Sequence, residues 1–137
     1  GKNLLQVDAF GAVKAMQAAK ANGVQRFILL SSVFALQPER WGEKFLADIT
    51  DYNIAKYFAD HWLVHNSGLD YTLLQPGALQ ETTASGQIQI NVAEPLPNAI
   101  GNVAATLAAL LNAPNSIGKV ITMADGSTPI ATALEAV

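Results

Sequence analysis

The chain has 137 residues, half of them apolar and 14% charged, which suits one globular domain around one core and excludes a disordered polar chain. Its net charge of −3 argues against nucleic acid or an anionic membrane surface as the main partner, and the lack of cysteine excludes disulfides and thiolate metal sites. No apolar run approaches the roughly 20 residues of a bilayer span, and GKNLLQVDAF has too short an apolar run for a signal peptide, so a soluble cytoplasmic protein is the expectation.

From Leu4 to Ala21 the apolar residues Leu5, Ala9, Val13 and Met16 recur at helical spacing, and Asn22-Gly23 supplies a helix stop. RFILLSS (26–32) has a short continuous apolar core, which predicts a strand buried on both faces. Residues 37–48 are polar and irregular, a loop or short helix. A second helix is predicted from about Thr50 to Asn66, with Thr50 or Asp51 as its N-cap and Ala55, Phe58, Ala59 and Trp62 on its apolar face. DYTLLQ (70–75) is a second buried strand, stopped by Pro76-Gly77.

Beyond it, QIQIN (87–91) alternates like a short strand, and residues 99–112 form an alanine-rich helix. KVITMAD (119–125) reads as a strand and STPIATALEAV as a closing helix with Pro129 near its first turn. There is no repeat or linker, so residues 1–137 are expected to form a single domain. Alternating helices and strands predict an α/β fold with a mainly parallel sheet, whose ligands sit at the carboxyl ends of the strands. Those ends carry Ser31-Ser32 and Gln75-Pro76-Gly77. A dinucleotide-binding half also needs a glycine-rich turn after its first strand, and none occurs among the ten scattered glycines.

Tyr52-x-x-x-Lys56 places a phenol and an ammonium one helical turn apart. A lysine beside a phenol favours the phenolate, which would equip Tyr52 as a general acid/base. Spacing alone favours a pair of surface neighbours over catalysis, because any tyrosine has a fair chance of a lysine four residues later. Serines at the end of the preceding strand add a hydroxyl that could bond a substrate oxygen, or could simply satisfy turn backbone. His61 and His65 have zinc-helix spacing, but Trp62 stands where a metalloprotease motif has glutamate and no third ligand is evident, so no metal site is expected. Asp48, Asp51 and Asp60 make no convincing carboxylate pair.

Taken together, VDAFGAVKAMQAAKANGVQRFILLSSVFA, DYNIAKYFADHWLVHNSGLDYTLLQPGAL and the GK…DG-TPI tail resemble the second half of a short-chain dehydrogenase/reductase of the extended or atypical type. The likeness covers nearly the whole chain and includes small NAD(P)-binding proteins described as sugar epimerases or reductases. It implies a partial Rossmann-like, doubly wound sheet lacking the glycine-rich N-terminal βαβ half. It also implies NAD or NADP as cofactor and hydride transfer to or from a small-molecule substrate.

By position, the resemblance implies Ser32 as substrate-orienting serine, Tyr52 as acid/base and Lys56 as the lysine that lowers the tyrosine pKa and bonds the nicotinamide ribose. Ser31, Pro76, Gly77 and Ala78 would lie beside the cofactor. Two positions depart from the pattern: Gln75 replaces an arginine, and Asp8 replaces an asparagine. The absent first half points to a C-terminal portion that binds dinucleotide poorly when alone. It also predicts an open edge on RFILLSS and hence association with the missing half or as a homo-oligomer. The alternative is a non-catalytic NAD(P)-binding sensor or scaffold, or an inactive truncated form.

Overall fold

The computed structural model describes residues 3–137. The chain opens on a π-helical segment, Leu4–Ala9, that runs directly into α1, Phe10–Ala21. Where one uniform helix was predicted, the Phe10 amide reaches back to the Leu5 carbonyl and widens the first turns. Gly23 then leaves the helix in the left-handed region, at φ +72°.

The strands are β1 (Arg26–Leu30), β2 (Asp70–Pro76), β3 (Leu79–Gln80), β4 (Gln87–Ile90), β5 (Asn98–Ala99), β6 (Lys119–Asp125) and β7 (Thr128–Pro129). The remaining helices are α2 (Thr50–Asn66), α3 (Ile100–Leu110) and α4 (Ile130–Glu135). Five strands form the main sheet in the order β1-β2-β6-β4-β7. β1, β2 and β6 are parallel, while β4 runs antiparallel to both β6 and β7. A separate parallel pair, β3 and β5, lies beyond the end of β2. The expected mostly parallel α/β sheet is therefore present.

Side chains alternate across the sheet and divide the core in two. Leu73 of β2, with Phe27 and Leu29 of β1, packs under Met16 of α1 and Leu63 of α2. Leu74, Ile121 and Met123 face the other way, against Val103 and Leu110 of α3 and Leu134 of α4. A third cluster of Val33, Phe34, Leu46, Val92 and Ala124 closes the carboxyl ends of the strands. Among the described residues, no helix is long and apolar enough to cross a membrane.

Several local expectations are corrected. β1 stops at Leu30 rather than Ser32, and all five of its residues are only half-buried, because it pairs with β2 alone and is an edge strand. Past its end, the Ser31 amide still donates to the Leu74 carbonyl (2.8 Å) and the Val33 amide to the Pro76 carbonyl (2.8 Å), so the serines stay tied to β2. Neither Thr50 nor Asp51 caps α2. A 3₁₀ segment, Lys44–Ile49, feeds straight into the helix, and the buried Asn53 amide donates to the Leu46 carbonyl at 2.9 Å across the junction.

α2 is also rotated from its predicted orientation. Ala55, Ala59 and Leu63 are buried, but so are Asn53 and Asp60, while Phe58 is 60% exposed. Its outer side carries Ile54, Phe58 and Trp62, exposed like Leu5, Val7 and Phe10 of the first helical stretch. At the C-terminus, Thr128 and Pro129 pair with β4 before α4 begins, so the closing helix is shorter than predicted.

Gly77 shows how tightly the strand-end loop is packed. A Cβ there would run into the backbone carbonyl of Leu96, with the Leu96 amide at 3.2 Å behind it. Backbone cannot swing aside as a side chain can, so Gly77→Ala is expected to destabilise the fold by about 1–3 kcal/mol. Gly42→Ala, where nothing lies within 4 Å, is expected to be near neutral. Urea unfolding midpoints measured side by side check this; equal midpoints would contradict the close approach.

Candidate functional site

The fold brings the carboxyl ends of β1 and β2 beside the first two turns of α2. Between them lies a cleft of about 230 Å³ lined by Ser31, Ser32, Tyr52, Lys56, Pro76, Gly77 and Ala78, with Phe45, Ile49 and Leu79 among its apolar walls. Every residue singled out from the sequence as catalytic or cofactor-binding thus borders one cavity. It sits where parallel α/β sheets bind ligands.

Tyr52 and Lys56 occupy successive turns of α2, with the ammonium 5.6 Å from the phenol ring centroid. Lys56 is held from two other sides. Its Nζ donates to the Leu30 carbonyl at 3.4 Å and lies 3.9 Å from Asp8 Oδ1. The lysine was expected to pull the tyrosine down in pKa. In the structure the phenol is instead pushed above its ordinary value, first by burial, then by the negative charges of Asp8 and Asp60. Asp8, carried by the π-helical segment, therefore does reach the site, facing Lys56 rather than backbone.

The two serines differ. Ser31 donates its hydroxyl to Asp60 Oδ2 at 2.6 Å, inside the protein. The Ser32 hydroxyl has no hydrogen-bond partner among the described residues and borders the cleft. Gln75 turns away from the cleft too: its Nε2 donates to the same Asp60 Oδ2 at 3.0 Å. The arginine-to-glutamine change noted in the sequence thus concerns the floor of the site.

Asp60 went unrecognised in the sequence. It is fully buried, and its second oxygen, Oδ1, has no partner among the described residues. Burial pushes its carboxyl up to about 6, against the opposing pull of the Ser31 and Gln75 hydrogen bonds and the Lys56 charge. The available signal was Lys56-x-x-x-Asp60, which repeats the Tyr52-to-Lys56 spacing one turn further along α2.

His61 and His65 lie 4.4 Å apart between ring centroids, tilted by 42°, on the exposed side of α2. No group of three or more metal-ligating side chains occurs among the described residues.

Comparison with known proteins gives a consistent result. The model of a family described as NAD(P)H-binding matches residues 1–114. The chain is 35% identical over 134 residues to the uncharacterized sugar epimerase YhfK of Bacillus subtilis, covering 96% of this chain and 59% of that protein. The crystal structure of the oxidoreductase ylbE from Lactococcus lactis superposes with a TM-score of 0.97 at 52% identity, over 100% of this chain and 63% of that one. ChuY, an anaerobillin reductase from Escherichia coli O157:H7, superposes at 0.70 with 26% identity, over 87% and 59%. The chain thus spans about three fifths of the length of these relatives.

Proposed function

The chain belongs to the NAD(P)H-binding family, and from that premise we propose that its cleft takes the nicotinamide–ribose end of NAD or NADP and serves an oxidoreductase or epimerase reaction on a small molecule. The observation that carries this reading is the convergence of Ser32, Tyr52, Lys56 and the Pro76–Ala78 turn on one cavity at the strand ends.

The donor set fits that group. Lys56 has ammonium protons to spare beyond its single long bond to Leu30, which suits ribose hydroxyls. Pro76, Gly77 and Ala78 present a small, mostly apolar surface to a flat ring. The 137 residues contain no glycine-rich turn for a pyrophosphate, so the fit concerns the nicotinamide end. When bound, the dinucleotide supplies or accepts a hydride at its nicotinamide ring.

The protein's own residues then handle the proton. Tyr52, kept protonated by burial and the nearby carboxylates, donates its phenolic proton to the substrate oxygen in the reductive direction and takes one in the oxidative direction. The Lys56 ammonium stabilises the phenolate that develops during that transfer. Ser32, with a free hydroxyl at the cleft, bonds the same substrate oxygen and orients it. Phe45 and Ile49 exclude water from the reacting atoms.

A charge-assisted hydrogen bond contributes about 1.5–3 kcal/mol. Lys56→Met is therefore expected to weaken NADPH binding about tenfold or more, followed by quenching or enhancement of nicotinamide fluorescence. An unchanged affinity would remove the lysine from the cofactor site. A second reading, a non-catalytic NAD(P)-binding sensor or scaffold, is favoured by Gln75, which stands where the family pattern has arginine and bonds Asp60 instead of offering a basic contact to the cleft. The two readings part on whether Tyr52 is needed for turnover.

A further inference from the structure

The acid/base reading accounts for Ser32, Tyr52 and Lys56 but leaves a buried carboxylate directly behind them without a role. Asp60 is wholly enclosed, and a buried carboxylate is costly unless it is paired and fully hydrogen-bonded, which this one is not. It joins three elements: the loop after β1 through Ser31 (2.6 Å), the end of β2 through Gln75 (3.0 Å), and α2, on which it sits one turn beyond Lys56. Both bonds fall on Oδ2, and Oδ1 is left free of partners among the described residues. A purely structural link between the strand ends would be made at lower cost by a neutral side chain, which needs no desolvated charge.

We propose that Asp60 is a positioning residue of the cleft: it draws the Ser31 hydroxyl inward so that Ser32 alone is offered to substrate, pins the Gln75-Pro76-Gly77 turn, and sets a negative charge within reach of Tyr52 and Lys56. This rests on the acid/base reading of the same site. The charged and titratable groups around it are Tyr52 and Lys56 on α2 and Asp8 on the first helical segment, the last acting on Tyr52 and Lys56. Ser31 and Gln75 are its neutral partners. The carboxylate opposes ionisation of the phenol, so Tyr52 keeps its proton until the Lys56 ammonium and the substrate oxygen draw it out. Asp60 thereby chooses the serine that meets substrate and biases the tyrosine toward its acid form.

The test is a titration of the Tyr52 ζ-carbon by NMR in protein with labelled tyrosine, assigned by its loss in Tyr52→Phe. In Asp60→Asn, which keeps the shape and loses the charge, the Tyr52 midpoint is expected to fall by about half a unit or more. A folded Asp60→Asn with an unmoved Tyr52 midpoint would overturn the proposal. Ser31→Ala gives a second measurement that needs no charge change. Losing that hydrogen bond is expected to move the Asp60 carboxyl midpoint further up from about 6, and an unmoved Asp60 midpoint would equally overturn it. Neither titration depends on turnover. If both shift as expected while Tyr52→Phe turns over normally, the positioning role stands and the acid/base reading of Tyr52 fails.

Discussion

Tyr52→Phe is expected to lower NAD(P)H-dependent turnover by about 10²–10⁴-fold, the usual worth of a positioned general acid/base. Dinucleotide affinity should change little, because the ribose contact is assigned to Lys56. The phenylalanine keeps the ring that lines the cleft and removes only the hydroxyl. In the wild type that hydroxyl has no protein partner among the described residues, so the fold loses no hydrogen bond. A fall in turnover would thus report on chemistry rather than on stability. The measurement is NADPH oxidation with a panel of small carbonyl compounds, with isomer ratios followed for sugars. Turnover at the wild-type level would favour the sensor or scaffold reading.

The second large effect concerns pH. Asp60 has a folded-state pKa of about 6 against an ordinary aspartate value of 3.8. The folded protein therefore holds this proton more tightly than the unfolded chain. The stability it contributes is fully present below about pH 4 and is lost as pH rises through about 6. About two units correspond to roughly 3 kcal/mol at most. Asp60→Asn mimics the protonated form: its oxygen can accept from Ser31 and Gln75, and its NH₂ takes the place of the unpartnered Oδ1. The variant is expected to gain on the wild type as pH rises from about 4 to 7, ending about 1–2 kcal/mol more stable. Urea unfolding of both proteins across that range checks it. Ion pairs remote from Asp60, such as Arg40–Glu43 and Lys44–Glu94, are common to both and cancel in the difference. A difference that does not vary with pH would contradict the buried, proton-binding carboxylate.

The α/β architecture could be read from the sequence because helical spacing and short apolar runs follow directly from burial on helix stripes and sheet faces. The strand-end places of Ser31-Ser32 and Gln75-Pro76-Gly77 followed from the same alternation, whereas the grouping of Ser32, Tyr52, Lys56 and Ala78 with them came from the family resemblance. What could not be read depended on neighbours remote in sequence. The open edge of RFILL was anticipated from the resemblance, but its apolar look suggested burial on both faces, and with a single sheet partner all five residues stay half-buried. Phe58 and Trp62 promised the buried face of α2, but Asp60 and Asn53 took that side because Ser31, Gln75 and the Leu46 carbonyl satisfy them there. Hydropathy cannot anticipate a buried carboxylate whose partners lie 29 and 15 residues away. For the same reason, the net direction at Tyr52 was not anticipated: burial first, then Asp8 and Asp60, act on the phenol only once the chain has folded.

In the proposed function, NAD(P) docks its nicotinamide end against Ser32, Tyr52, Lys56 and the Pro76–Ala78 turn. An NMR titration with NADP⁺, following assigned backbone amides, tests it most directly. The largest shifts are expected at Ser31, Ser32, Tyr52, Lys56, Gly77 and Ala78. Shifts concentrated elsewhere, with these six unmoved at saturating NADP⁺, would contradict it.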